Sequence, residues 1–289
     1  MSQARSIVRA GHAPDTVRLH RIGAAATVAL YEELALAPKP GLVSFIDNGS
    51  HSDMDARTFM RSLFALRHYF GQIAELGWHG VPFDALQACG IAAEARMLAA
   101  TGGINTHRGA VFTLGLLCAS AGALLREGKA PQPASLRTAL QQHWGAALLA
   151  RSGQPTGLPG GIAAQRHGLR SASQEAAAGL PTLFDTVVPA LDQGLRRGLT
   201  PEQARLDALF HAMAVLDDTN LVHRGGMAGL RHAQQAARGF LADGGAARPG
   251  GLEAAWALHR DFVARRLSPG GAADTLAAAC WTVRICGPA

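Results

Sequence analysis

The most polar short stretch of the sequence is residues 217–226, Asp-Asp-Thr-Asn-Leu-Val-His-Arg-Gly-Gly. It places two carboxylates, a hydroxyl, an amide, an imidazole and a guanidinium together, between one apolar run that ends at Leu216 and another that begins at Met227. For any one of these side chains, a solvated loop with an aspartate cap is the plain alternative. Burying the whole set without partners would cost about 1–3 kcal/mol for each group. The density of polar groups therefore indicates a ligand site.

A second stretch, residues 105–109, repeats part of this chemistry as Asn-Thr-His-Arg-Gly. In each stretch an asparagine precedes His-Arg-Gly, and a helical pattern follows. A helix N-terminus presents free backbone N–H groups and the positive end of the helix dipole. An arginine there adds a planar fork that suits phosphate oxygens. The pair predicts two phosphate sites or two parts of one site, and an asparagine cap followed by glycine is the structural alternative.

Carboxylates accompany these stretches and could bind a metal ion. We predict that Asp217 and Asp218, together with Asp53, hold Mg²⁺ and act in catalysis, because Mg²⁺ prefers oxygen ligands that substrate phosphates and water complete. His51 beside Asp53 raises zinc as an alternative, but the chain has no cysteine ligand set and no HExxH helix. Lys39, one of only two lysines, lies between two prolines and is predicted to contact phosphate.

The elements that must position these residues are predicted to be helices. Alanine, leucine and glycine dominate the 289 residues, while β-branched and aromatic residues are sparse. Apolar spacing predicts helices over residues 16–37, 83–100, 110–125, 201–216 and others, and a helix of about five turns through Phe59, Leu63, Tyr69 and Ile73. No alternating strand pattern occurs. We predict an all-α, single-domain bundle of ten or eleven helices over residues 16–289, after a flexible lead-in at 1–15.

Composition limits the classes of partner and compartment. The net charge of +6 comes almost wholly from arginine, which favours an anionic ligand. The four cysteines form no CxxC pair, and neither a signal-peptide core nor a membrane-spanning stretch is evident, so a cytoplasmic protein without a membrane partner is expected. The sequence also lacks a Walker loop, a GxGxxG fingerprint and a GxSxG elbow. The residues alone predict Mg²⁺-assisted handling of phosphorylated ligands by an all-α protein.

Five motifs in a fixed order resemble one known family. They are Pro-Lys-Pro-Gly-Leu-Val at 38–43, Ser-His-Ser-Asp-Met at 50–54, Thr-Gly-Gly-Ile-Asn-Thr-His-Arg-Gly at 101–109, Asp-Thr-Asn-Leu-Val-His-Arg-Gly-Gly at 218–226 and Ser-Pro-Gly-Gly at 268–271. Together they are similar to the triphosphoribosyl-dephospho-CoA synthases over residues 20–286. The resemblance implies a transferase that joins ATP to 3′-dephospho-CoA and releases adenine. Its product, 2′-(5″-triphosphoribosyl)-3′-dephospho-CoA, is the prosthetic-group precursor of malonate decarboxylase or citrate lyase.

The resemblance also implies roles for the residues of these motifs. The 2′-hydroxyl of dephospho-CoA attacks C1 of the ATP ribose through an oxocarbenium-like transition state, and the α-linked product implies inversion without a covalent enzyme intermediate. Asp217, Asp218 and Asp53 are the candidates for metal ligand and base. The residues expected to bind substrate are Lys39, His51, Asn105, Thr106, His107, Arg108, Gly109, Glu175, Thr219, Asn220, His223, Arg224, Gly225 and Gly226.

The sequence departs from the family pattern in two places. Ser173 replaces an arginine two residues before Glu175, where Arg170 could compensate, and Ala272 replaces a serine while Asp274 is kept. A chain of this length without a fused transferase domain resembles the malonate decarboxylase branch. We expect ATP and dephospho-CoA as partners, delivery of the product to a holo-acyl-carrier-protein transferase, and a homodimer as one option.

Two other functions remain open from the residues alone. A basic helical nucleic-acid-binding protein would use the arginines on backbone phosphates, although they are scattered rather than aligned on one helix. A Mg²⁺-dependent hydrolase of ADP-ribose-type substrates would release adenine or phosphate without needing dephospho-CoA.

Overall fold

The computed structural model of the chain describes residues 13–154 and 157–287. The predicted flexible lead-in therefore lies outside the described residues up to residue 12. In order, the elements are α1 (Thr16–Ala35), α2 (Ala56–Leu66), α3 (Tyr69–His79), α4 (Phe83–Thr101), α5 (Arg108–Arg126), α6 (Pro133–Ser152), α7 (Pro159–His167), α8 (Ala172–Ala177), a π-helical segment (Thr182–Val187), α9 (Val188–Arg196), α10 (Pro201–Val215), α11 (Thr219–Ala242), α12 (Gly251–Ala264) and α13 (Gly270–Cys286). No strand occurs in these residues, which confirms the predicted all-α fold.

Helix α5 is the central element of the bundle. It packs against α1, α3, α4, α6 and α13, and all its residues from Leu114 to Leu124 are buried. Within the described part of the chain it is also the one helix whose length and apolar composition would suit a membrane span, and 72% of that window is buried inside the protein. Its apolar side chains are thus used for packing within the bundle, and its N-terminus can serve as a fixed point for a site.

Glycines allow α3 and α5 to approach each other closely. A Cβ atom added at Gly77 would lie 2.0 Å from the carbonyl oxygen of Ala119. One added at Gly122 would lie 1.9 Å from the carbonyl oxygen of Ala74. Both contacts are with backbone rather than with flexible side-chain ends, so neither helix can accept a methyl group without moving.

The structure corrects two predictions about α2 and α3 and confirms a third prediction elsewhere. The predicted five-turn helix is in fact two helices that meet at Arg67 and His68. The sequence does not reveal the break, because apolar residues on both sides of it are spaced to face the same core. The Ser-x-x-Asp spacing of Ser52 and Asp55 predicts a capping box that begins at Ser52, and this is wrong: Asp55 caps α2 and forms a capping box with Thr58. Thr200, Pro201 and Gln203 in the sequence predict a capped helix start, and the structure confirms it with a capping box of Thr200 and Gln203 at the start of α10.

Replacing Gly77 with alanine should destabilise the bundle. The new methyl group would overlap the α5 backbone, and overpacking of this kind costs about 1–3 kcal/mol or more. Gly71→Ala in the same helix is the matched control, because a Cβ there meets no atom within 4 Å. Its helix propensity should raise stability by up to about 1 kcal/mol. Denaturant unfolding of both variants measures the difference, and equal stabilities would contradict the close-packing account.

Candidate active site

The N-terminal ends of α5, α11 and α13 open onto one cavity of about 1460 Å³. Residues of the 42–54 loop, of α4 and of the 151–175 segment complete its wall. The predicted site residues that line it are His51, Asn105, Thr106, His107, Arg108, Gly109, Glu175, Asp217, Asp218, Thr219, Asn220, His223 and Arg224. The two Asn–His-Arg-Gly stretches thus face the same space, and they form two parts of one site.

Asp218 joins the starts of two helices. It is the N-cap of α11, with one carboxylate oxygen 2.9 Å from the backbone N of Asn220, and the other oxygen lies 3.1 Å from the backbone N of Ala272 in α13. The side chain is buried, which raises the pKa of its carboxyl, while these N–H donors oppose that shift. Both oxygens are thereby committed to backbone donors, and Asp218 fixes the wall of the cavity.

Asp217 differs from its neighbour because its carboxylate is available. It lines the cavity and is half-buried, and among the described residues it has neither a hydrogen bond nor an ion pair. A positioned carboxylate of this kind can accept a proton or contact a bound cation. Of the two adjacent aspartates, Asp217 is the one that can do chemistry with a ligand.

Asp274 is a site residue that the motif-based prediction omitted from its candidate set. It lies on the cavity wall and accepts a hydrogen bond from the backbone N–H of Ala110 at the start of α5. Removal from water raises the pKa of its carboxyl well above the usual range, and the nearby Glu33 and Asp218 carboxylates raise it further. Its carboxylate also fills the space beside Gly109, where an added Cβ would lie 2.0 Å from Oδ2. Gly109 is therefore needed for the close contact between α5 and α13.

The first polar stretch forms the start of α5. The side-chain oxygen of Asn105 accepts from the backbone N of Arg108 at 3.1 Å, and the Arg108 guanidinium contacts the Glu94 carboxylate. His107 is buried with its Nδ1 2.6 Å from the Ser62 hydroxyl. Burial, and then the charge of Lys39, lower the pKa of His107 to about 3, so its ring is neutral near pH 7.

The second polar stretch is itself helical, which the sequence does not predict, and the helix predicted from Met227 follows it after a kink at Gly226. The helix begins at Thr219, and Gly226 interrupts it with φ 63° and ψ −168°. Gly225 packs on Leu267, since an added Cβ would lie 2.5 Å from its Cδ2. Neither glycine lines the cavity. Both shape α11, and glycine is required at Gly226 by its left-handed φ.

His51 connects three of the sequence motifs. Its Nε2 lies 3.0 Å from the Ser268 hydroxyl, and its Nδ1 lies 3.0 Å from Nη2 of Arg224. Burial, followed by the charge of Arg224, lowers the pKa of His51, while Asp53 at 3.6 Å opposes the shift. A neutral His51 can accept from Arg224, and this contact holds that guanidinium at the cavity wall.

Lys39 and Asp53 do not reach the cavity wall. The Lys39 side chain is buried, with 1% of the residue exposed, and its ammonium lies 2.5 Å from the Glu33 carboxylate and 2.6 Å from the Glu33 carbonyl oxygen. The predicted phosphate contact of Lys39 is therefore replaced in the structure by an ion pair with Glu33. Asp53 has 59% of its side chain exposed and faces His51.

The predicted three-carboxylate metal site is not assembled. Within the described ranges no group of three His, Cys, Asp or Glu side chains lies close enough to hold a metal ion. Asp218 is committed to backbone donors, and Asp53 lies off the cavity wall. Of these three predicted ligands, Asp217 is the one that could bind a Mg²⁺ ion whose other ligands are phosphate oxygens and water.

Two arginines of the cavity wall were not predicted as phosphate ligands. Arg151 and Arg170 lie in the segment opposite α5 and α11, and Arg170 pairs with Glu175 at 2.9 Å. The other oxygen of Glu175 accepts from the backbone N of Thr182 at 2.8 Å. Arg170 thus supplies the cation beside Glu175 that Ser173 cannot. A basic wall assembled from separate segments leaves no local sequence signal.

The chain matches one protein family over nearly its whole length. The family is described as CitG: ATP:dephospho-CoA triphosphoribosyl transferase, and the match covers residues 19–287. The chain is 38% identical to the 2-(5″-triphosphoribosyl)-3′-dephosphocoenzyme-A synthase of Klebsiella pneumoniae, over 91% of the chain and 93% of that relative. It is 37% identical to a probable enzyme of the same name in Acinetobacter calcoaceticus, over 92% of the chain and 91% of that relative. No solved structure matches the chain.

The buried ion pair predicts a large stability loss for Lys39→Met. Removing the ammonium leaves the Glu33 carboxylate buried without its partner, which costs about 3–5 kcal/mol. Lys129→Met is the control, because that lysine is 62% exposed in its pair with Glu127 and should cost at most about 1 kcal/mol. The double variant Glu33→Leu/Lys39→Met should recover most of the loss. A Lys39→Met protein of wild-type stability that binds ATP weakly would instead support the predicted phosphate contact.

Proposed function

The chain belongs to the ATP:dephospho-CoA triphosphoribosyl transferase family, and from that premise we propose that the cavity binds ATP and dephospho-CoA together and joins them. The product is 2′-(5″-triphosphoribosyl)-3′-dephospho-CoA, and adenine is released. The observation that carries the proposal is that the polar stretches at 105–109 and 217–224 line one cavity. Its volume of about 1460 Å³ exceeds the roughly 300–1,000 Å³ usual for one small ligand.

Four arginines are the candidates for binding the two polyphosphates, and two of them, Arg108 and Arg170, also contact Glu94 and Glu175. Arg108, Arg151, Arg170 and Arg224 all line the cavity. The N-terminal ends of α5, α11 and α13 add backbone N–H groups and positive dipole ends. We assign the triphosphate and the diphosphate to this basic part of the wall, because planar guanidinium groups can bind phosphate oxygens in pairs.

The transfer itself is a displacement at the anomeric carbon of the ATP ribose. The 2′-hydroxyl oxygen of dephospho-CoA forms the new bond to C1 while the bond from C1 to the adenine nitrogen breaks. Its electron pair leaves with the base, which takes up a proton from water to become neutral adenine. In our assignment Asp217 accepts the proton of the attacking hydroxyl, and its negative charge stabilises the oxocarbenium-like transition state. Asn105, Thr106, Thr219 and Asn220 orient ribose hydroxyls. The displacement is single, so no sugar becomes attached to the enzyme.

A Mg²⁺ ion is part of the proposal as a partner of the triphosphate. Asp217 would contribute the protein ligand, while phosphate oxygens and water would supply the others. The ion would offset phosphate charge near the reacting sugar. Glu33 and Asp274 also line the cavity, but Glu33 is paired with Lys39 and Asp274 accepts from Ala110.

We further propose that the product serves malonate decarboxylase rather than citrate lyase and passes to a holo-acyl-carrier-protein transferase in the cytoplasm. The length of the chain, which resembles that of the malonate decarboxylase branch, supports this choice. Residues of a single chain line the cavity, so the proposed reaction does not depend on a second subunit. A homodimer with one such cavity in each subunit is compatible with it.

Asp217→Asn should abolish most of the transfer while leaving the fold intact. With ATP, Mg²⁺ and dephospho-CoA, the wild-type chain should form the product and adenine in equal amounts, as measured by mass spectrometry and chromatography. Loss of a general base lowers turnover by about 10²–10⁴-fold, whereas stability should change by less than about 0.5 kcal/mol. Asp84→Asn, on the exposed side of α4, is the matched control and should behave as wild type.

Three results would contradict parts of this proposal. Adenine release without dephospho-CoA would indicate a hydrolase. Turnover at the wild-type rate by Asp217→Asn would show that Asp217 is not the general base. An enzyme carrying a covalent ribosyl triphosphate, detected by intact mass, would exclude the single displacement.

Deletion of the gene should identify the pathway that uses the product. A strain without this chain should fail to grow on malonate, because its malonate decarboxylase carrier subunit would lack its prosthetic group, while citrate-dependent growth should be unchanged. Re-expression of wild-type protein, but not of Asp217→Asn, should restore growth. Loss of citrate lyase activity instead would assign the chain to the other branch.

A further inference from the structure

Two buried polar atoms at the start of α5 lack partners among the described residues. They are Nε2 of His107 and the hydroxyl oxygen of Thr106, and both residues line the cavity. His107 is only 3% exposed, and its other ring nitrogen is already engaged by Ser62. An unsatisfied buried polar atom costs about 1–3 kcal/mol. A group on a bound ligand would remove that cost.

The ligand group beside His107 should carry no charge. Burial and the Lys39 ammonium hold the pKa of His107 at about 3, so the ring offers a hydrogen bond without a positive charge. A neutral imidazole has one donor nitrogen and one acceptor nitrogen. If the Ser62 hydroxyl donates to Nδ1, then Nε2 carries the proton and donates toward the cavity. The phosphates have Arg151, Arg170 and Arg224 on other segments of the wall, so His107 is left for another part of the substrate.

The surroundings of His107 suit a flat, weakly polar group. The ring of Phe59 lies edge-on to it, with ring centroids 5.0 Å apart and planes at 78°. Phe59, Leu30 and Leu42 line the cavity together with the Glu33 carboxylate, which the buried Lys39 holds in place. Such walls provide apolar surface for the faces of a ring and polar atoms for its edge. Riboses and phosphates have no such faces.

We propose that the adenine base of ATP, the leaving group of the transfer, binds beside Phe59 and His107 at the start of α5, with His107 Nε2 donating a hydrogen bond to a ring nitrogen of the base. The proposal rests on the proposed function and specifies where its base is recognised. Adenine has ring nitrogens that accept hydrogen bonds, and its amino group is a donor that the Glu33 carboxylate can accept. His107 thereby becomes a residue that determines base specificity rather than a phosphate ligand.

Equilibrium binding to the full-length protein tests this assignment. His107→Leu should weaken ATP binding by roughly tenfold, the effect of losing one neutral hydrogen bond, and should weaken competition by free adenine by a similar factor. Binding of inorganic triphosphate, which has no base, should stay within about twofold of wild type. His107→Gln, whose side-chain amide can donate from a similar position, should restore part of the ATP affinity. His20→Leu, an exposed histidine on α1, is the matched control.

Base analogues give a second readout that needs no variant. Of 1-deaza-ATP, 3-deaza-ATP and 7-deaza-ATP, the one that lacks the contacted nitrogen should bind wild type roughly tenfold more weakly than ATP, with no further loss in His107→Leu. Equal binding of ATP and all three analogues by wild type would overturn the assignment even if His107→Leu failed to fold. Equal weakening of ATP and inorganic triphosphate in His107→Leu would also overturn it. Absence of adenine release by wild type in the presence of dephospho-CoA would instead overturn the proposed function.

Discussion

Two aspartates at helix N-termini fix the geometry of the whole site. Asp218 caps α11 and also accepts from the backbone of α13, while Asp274 of α13 accepts from the backbone of α5. Each carboxylate satisfies N–H groups that the start of a helix leaves free. Burial of a carboxylate is costly unless such donors are present. Three helices are therefore held with their N-termini facing one space, and every other side chain on the wall is positioned relative to them.

This arrangement separates the charges of the cavity by depth. The buried part contains Asp218, the Glu33–Lys39 pair and a neutral His107. The arginines are more exposed, and Arg224 is held by contacts with His51 and with the Ser50 carbonyl oxygen. Highly charged phosphates can keep part of their hydration at the exposed side, whereas an uncharged base loses little by being buried. The separation thus matches ligands whose charged and uncharged ends differ strongly.

Much of the fold could be predicted from the sequence, because helix spacing and caps are local signals. The capping box at Thr200 and the polar stretches at helix junctions were evident in this way. The burial of Lys39 could not be predicted in this way, because its partner Glu33 lies on α1 and the flanking prolines give no sign of that contact. The basic contributions of Arg151 and Arg170 depend on how distant segments pack. Asp217 and Asp218 are chemically identical in sequence, and they are distinguished by the start of α11, which Asp218 caps, and by the approach of α13.

The likeness of the two His-Arg-Gly stretches conceals different structural roles. In the first stretch the histidine is buried and the glycine accommodates Asp274, whereas in the second the histidine is exposed and the glycine packs on Leu267. The stretches are therefore unlike walls of one cavity and not two equal phosphate sites. An enzyme with two equivalent sites could act on its substrates in turn. In the single displacement that we propose, both substrates must be bound before C1 of one meets the hydroxyl of the other, and a single cavity with unlike walls can hold both at once.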